Sequence, residues 1–256
     1  MCEIFGICSR KPFTVNEYLR RFYKRSDKHP DGWGLSVMHR NVSLIEKEPE
    51  KAAISHYLAE RLTVPIEVRS AFAHIRYATI GNLEYANCHP FTRQDAGGRR
   101  WTLIHNGTIF DYPELNRYFH FQQGSTDSER ILMHVVALMD EEAEQQEVLD
   151  FDRRFALLDQ MICKMARGNK LNLMIYDGEY MYVHTNCDCG LHYRKDPGRI
   201  LISTAPLDPE GWEVHPTNVL VAYQNGVRKK TGTDHGHSFV MNEEEMKYIF
   251  QTFSNL

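Results

Sequence analysis

The second residue of the chain is a cysteine. Methionine is normally trimmed when a small residue follows it, and trimming of Met1 would leave Cys2 with a thiol and a free α-amine. A free thiol titrates near about 8.5 and an α-amine near about 8. Close to neutral pH the amine can therefore take the thiol's proton, directly or through one water. An N-terminal amine serving as base for its own side chain is one way to activate a nucleophile. Cys8 lies within the first apolar segment and has no such amine, so it reads as a buried, inert thiol.

Three further strings carry residue types suited to acyl chemistry. His74-Ile75-Arg76-Tyr77-Ala78-Thr79 ends a short apolar stretch. An arginine there must be paired or face a cavity, since a lone buried charge is costly. Its planar fork suits a carboxylate, either a neighbouring Asp or Glu or a ligand. His105-Asn106-Gly107 is an ordinary turn or an oxyanion hole, in which the Asn amide and the Gly N–H both donate to a developing negative oxygen. Glycine also leaves room for the backbone to approach closely. Thr126-Asp127-Ser128-Glu129 is a capping box, and a carboxylate in a first helical turn is favoured by the helix dipole in any case. Pro30-Asp31-Gly32-Trp33-Gly34 reads as a tight turn with Trp33 in the core. Cys187-Asp188-Cys189 lacks the second half of a structural zinc pattern. Asp234-His235-Gly236-His237 reads as a polar loop, and no metal or organic cofactor is expected.

The elements that must position these residues follow from composition and periodicity. The chain has 256 residues, 42% hydrophobic and 25% charged, with net charge −4. This is ordinary globular composition, long enough for a sizeable core, and without the basic excess of a nucleic-acid binder. No apolar run approaches a membrane span and the start does not read as a secretory signal, so the expectation is a cytoplasmic protein. Six cysteines are too few for a disulfide scaffold. Strands are predicted at 2–8, 33–38, 70–77, 101–105, 200–203 and 219–223. Helices are predicted at 13–24, 51–62, 152–166 and 243–250, with another after the capping box at Thr126. Asn172–Tyr176 and Tyr180–His184 flank Asp177-Gly178, a type I′ hairpin signal. Strands, helices and strands again imply an α+β protein with antiparallel sheets packed together. No linker divides the chain, so residues 1–256 read as one domain.

In their order, Met1-Cys2, Arg76-Tyr77-Ala78-Thr79, His105-Asn106-Gly107 and Thr126-Asp127-Ser128-Glu129 resemble the class II glutamine amidotransferase domain, an Ntn-hydrolase family. Pro30–Gly34 and Asn87-Cys88-His89-Pro90-Phe91-Thr92-Arg93 resemble its stand-alone YafJ-like branch. The resemblance implies a four-layer αββα sandwich. It implies Cys2 as nucleophile on the glutamine side-chain amide, and Asn106 with Gly107 as the oxyanion hole. It implies Arg76, helped by Thr79, on the substrate α-carboxylate, and Asp127 on the α-ammonium. The substrate is then glutamine or another γ-glutamyl amide. The larger enzymes of the family carry a second, synthase domain, so a separate partner receiving ammonia is one expectation. A plain hydrolase of a different γ-glutamyl compound is the alternative, and a catalytically silent domain that keeps Met1 is a third.

Overall fold

A computed structural model describes residues 2–78, 81–145 and 149–240. Two antiparallel sheets dominate it. The first runs β11(Trp212–Val214), β9(His192–Asp196), β10(Arg199–Ser203), β1(Glu3–Thr14), β4(Glu67–Ile75), β2(Trp33–His39), β3(Val42–Glu48) across its width. The second runs β13(Val227–Thr231), β12(Leu220–Gln224), β8(Met181–His184), β7(Lys170–Tyr176), β6(Arg100–Thr108), β5(Phe91–Gln94).

Side chains alternate across a strand, and the buried residues sort into three layers on that period. Phe5, Ile7, Leu35 and Ala73 face outward onto Leu19 and Phe22 of α1(Asn16–Tyr23) and Leu58 of α2(His56–Arg61). Ile4, Phe72 and Ile202 face the other way, onto Ile104, Met174 and Val221 of the second sheet. Leu103, Leu173 and Ile175 then face Ile131 and Val135 of α3(Asp127–Ala143) and Phe155 and Leu158 of α4(Phe151–Met165). The result is helix, sheet, sheet, helix, the expected αββα sandwich. Among the described residues no helix is long and apolar enough to cross a membrane.

Several boundaries differ from the periodicity for identifiable reasons. The helix expected from Phe13 begins at Asn16, because Phe13 and Thr14 still pair with Val68 and Glu67. The helix expected from Lys51 begins after Ser55, whose hydroxyl accepts the Leu58 N–H at 3.0 Å and caps it. The Asp177-Gly178 hairpin forms, but not through a type I′ turn. Only Gly178 of that pair has positive φ, whereas type I′ needs two such residues. The loop instead spans residues 177–180 and is closed by the Asp177 carboxylate, which accepts N–H groups from Glu179 and Tyr180 at 2.9 and 2.7 Å. The edge strands β3, β5, β11 and β13, and β9 next to β11, were not legible as apolar runs, because they carry many charged or exposed residues. The helix expected at 243–250 lies outside the described residues.

Candidate active site

Cys2 stands where β1 begins. The pairing Glu3↔Ile75 brings it beside the end of β4. The Cys2 thiol donates to the Tyr77 carbonyl, and the Tyr77 N–H donates back to the sulfur, each at 3.4 Å. Its neighbours are clamped. Arg25 Nη2 donates to Glu3 Oε1 at 3.0 Å, and Ile4 N–H donates to Thr204 Oγ1 at 2.9 Å. The residue itself is only partly buried, so the sulfur stays reachable. Its packed surroundings withhold water and push the thiol pKa up, while the Tyr77 backbone, Arg76 and Lys170 pull it down.

Arg76 is 3% exposed and held from several sides. Its backbone is strapped to the 31–32 turn: Arg76 N–H donates to Gly32 O at 2.8 Å and Asp31 N–H donates to Arg76 O at 3.1 Å. Asp31 Oδ2 also accepts Ala78 N–H at 2.7 Å, so Asp31 shapes the backbone that follows Arg76. The guanidinium donates to Asn82 O at 3.1 Å and Gly81 O at 3.0 Å. Fully buried Asn87 ties this loop to the approach of α3, donating to Asn82 O and Ser125 Oγ and accepting Ser125 N–H at 2.7 Å. Ser125 precedes the capping box, in which Thr126 Oγ1 accepts Glu129 N–H at 3.3 Å. Arg76 and Asp127 are thereby joined through one short network.

Asp127 opens α3 and is 5% exposed. Its Oδ2 accepts Ile109 N–H at 2.8 Å, two residues beyond Gly107. Ser128 Oγ lies 3.2 Å from Asp127 Oδ1 and 3.0 Å from His105 Nδ1. Burial pushes the His105 pKa down against the opposing charge of Asp127. His105 Nε2 donates to Lys170 O at 3.4 Å, while the single Ser128 proton goes to Asp127 Oδ1. A carboxylate offers about four acceptor sites, so Asp127 keeps capacity for a ligand cation.

The two sheets meet at this end of the sandwich. His74, paired with Ile4, donates from Nε2 to His105 O across the gap at 3.3 Å. Strand parity carries the rest. Ile4 and Phe72 point into the inter-sheet layer, as do Ile104 and Met174, and the same alternation directs Cys2, Arg76, Asn106 and Lys170 to it. Asn106 is 3% exposed, and its backbone carbonyl accepts from Asn172 Nδ2 at 3.0 Å. At Gly107 any Cβ would collide with Lys170 O and the His105 ring, so only glycine fits the β6–β7 pairing there. Thr79 lies outside the described residues, as does Met1.

Further residues gather at this end, among them Lys170, which no sequence motif singled out. Lys170 is 5% exposed and sits opposite Thr108, next to the Asn106-Gly107 pair. His74 and His89 stack at 4.0 Å between centroids, both buried, with His74 Nδ1 and both His89 nitrogens lacking a hydrogen-bond partner. The even-numbered parity of 170, 172 and 174 was available in the sequence as a signal for Lys170. Cys187 accepts from Asn172 Nδ2 at 3.6 Å, and His235 Nε2 lies 2.9 Å from His184 Nε2.

Such a sandwich has known counterparts. Residues 1–200 match the family model of the class-II glutamine amidotransferases. The chain belongs to that family and is an enzyme. It is 28% identical over 199 residues to the Escherichia coli protein YafJ, covering 75% of each chain. It is also 30% identical over 254 residues to an uncharacterised protein of Methanocaldococcus jannaschii, covering 88% of this chain and 70% of that one. Among solved structures, a predicted glutamine amidotransferase from Pseudomonas aeruginosa PA01 shares the fold, with TM-score 0.62 and 21% identity over 89% of this chain and 99% of the other.

Proposed function

We propose that the protein, as a single glutamine amidotransferase domain freed of Met1, hydrolyses the glutamine side-chain amide through a thioester on Cys2. The observation that carries this reading is the placement of Cys2 against Tyr77, adjoining Arg76, at the sandwich end that also holds Asn106, Gly107 and Asp127. Arg76 and Asp127 take the α-carboxylate and α-ammonium, which leaves the γ-carboxamide to reach the sulfur. The α-amine of Cys2 accepts the thiol proton as the C–S bond forms. The carbonyl oxygen gains negative charge and is met by the Asn106 side-chain amide and the Gly107 N–H. The amine then returns the proton to the departing nitrogen, and ammonia leaves. Water attacks the γ-glutamyl thioester, the C–S bond breaks, and glutamate is released with the thiol restored. The ammonia is available to a separate synthase partner.

Cys2→Ala should keep the fold and lose release of glutamate from glutamine, about 10⁴-fold or more. Intact mass of the active protein should show Met1 absent. Turnover retained in the variant, or full activity with Met1 in place, would sink the reading.

A further inference from the structure

Lys170 is a buried cation at the head of β7, and the packing of the two sheets places it opposite the head of β1. Cys8 and Tyr176 line one small cavity. Gly6 lies against the Met174 side chain, close enough that a Cβ on Gly6 would overlap Met174 Sδ. Ile4 is paired with His74, which reaches His105, itself paired with Leu173. The levels 8 with 176, 6 with 174 and 4 with 173 show β1 and β7 running in the same sense across the gap. Going back to their first residues sets Cys2 over Lys170, both on the inter-sheet parity.

The Lys170 backbone is held firmly. Preceding Asn169 accepts Phe110 and Asp111 N–H groups at 2.6 and 2.9 Å and donates to Met165 O at 2.7 Å, while Asn186 Nδ2 donates to Asn169 O at 2.8 Å. Its ammonium is within electrostatic reach of two thiols, Cys2 and Cys187, and burial lowers its pKa while both thiols raise it. Among the described residues, Arg76 and Cys88 also face Cys2 electrostatically, and its own α-amine joins them once Met1 is gone.

We propose that Lys170 is the electrostatic partner of the Cys2 thiolate, an ammonium built into β7 to stabilise the charged sulfur before attack and again when the thioester is cleaved. In a site with little water this attraction is much stronger than at a surface. The role rests on Cys2 being the nucleophile, but the test reads the thiol itself and not turnover.

The experiment uses Met1-free protein carrying Cys187→Ala, so that Lys170 faces one thiol. The rate of iodoacetamide labelling of the Cys2 peptide is followed by mass spectrometry against pH. Thiolate absorbance near 240 nm is recorded as the difference from a Cys2→Ser protein. Lys170→Met should raise the apparent pKa of Cys2 by about one unit or more and slow labelling at pH 7 about tenfold, and Lys170→Arg should restore both. Lys170→Gln is read in parallel in case methionine is not accommodated. An unchanged titration in either folded neutral variant overturns the proposal. Loss of the Cys2 nucleophile reading would show separately, as glutamine hydrolysis surviving complete labelling of Cys2.

Discussion

Cys2 is subject to opposed effects. Burial of its surroundings raises the thiol pKa, and the Tyr77 backbone, Arg76 and Lys170 act against it. Forming the thiolate therefore calls for a base, a part that falls to its own α-amine in the proposed reaction. The recognition groups work on a different scale. A charge-assisted hydrogen bond contributes about 1.5–3 kcal/mol. Asp127→Asn keeps an oxygen for the Ile109 N–H and leaves the Thr126 cap intact, so the fold should survive. It removes the charge proposed to meet the α-ammonium. We expect kcat/KM for glutamine to fall about 10- to 100-fold, mostly through KM, in steady-state kinetics. A variant with unchanged KM would remove Asp127 from substrate recognition.

At the scale of elements, the site depends on where β6 and α3 meet. Gly107 lets β6 lie against the Lys170 carbonyl and the His105 ring, while Asp127 holds the chain at Ile109. Gly107→Ala must push β6 away from β7 or displace His105. Overpacking of this kind costs about 1–3 kcal/mol, and the N–H assigned to the oxyanion moves with the strand. The expected result is a lower melting temperature together with a kcat reduced about 100-fold or more. Full kcat in a destabilised protein would separate the strand packing from the oxyanion hole.

For the whole molecule, the tightly packed layers enclose histidines as neutral groups. Burial pushes His74 and His184 down to about 3 and His215 to about 4, from an ordinary value of 6.5. The unfolded chain protonates these rings near pH 6.5, whereas the native state does so only near pH 3–4. Their contribution to stability is therefore complete above pH 6.5 and is lost as pH falls toward 4. Each histidine adds a slope of about 1.4 kcal/mol per pH unit below about pH 6. Urea unfolding midpoints should drop steeply from pH 7 to pH 5. Equal midpoints at those two values would contradict the buried, neutral state of these rings.

The sequence by itself determined what is local. The Thr126 cap, the β7–β8 hairpin, the alternation that divides the strand faces and the residue types of the site all depend on neighbours a few positions away. The αββα arrangement was legible there only through resemblance to a family. The tertiary structure alone decided which residues meet. Asp31 holds the backbone after Arg76 through a bond reaching 47 residues, and Asn87 ties that loop to Ser125, 38 residues further on. Lys170 joins the site because β7 packs across from β1, a relation no local pattern encodes. The same holds for Cys2: its thiol is aligned by Tyr77, 75 residues away. Contacts of that span are set by sheet pairing and layer packing, whereas sequence periodicity reports only which face a residue takes.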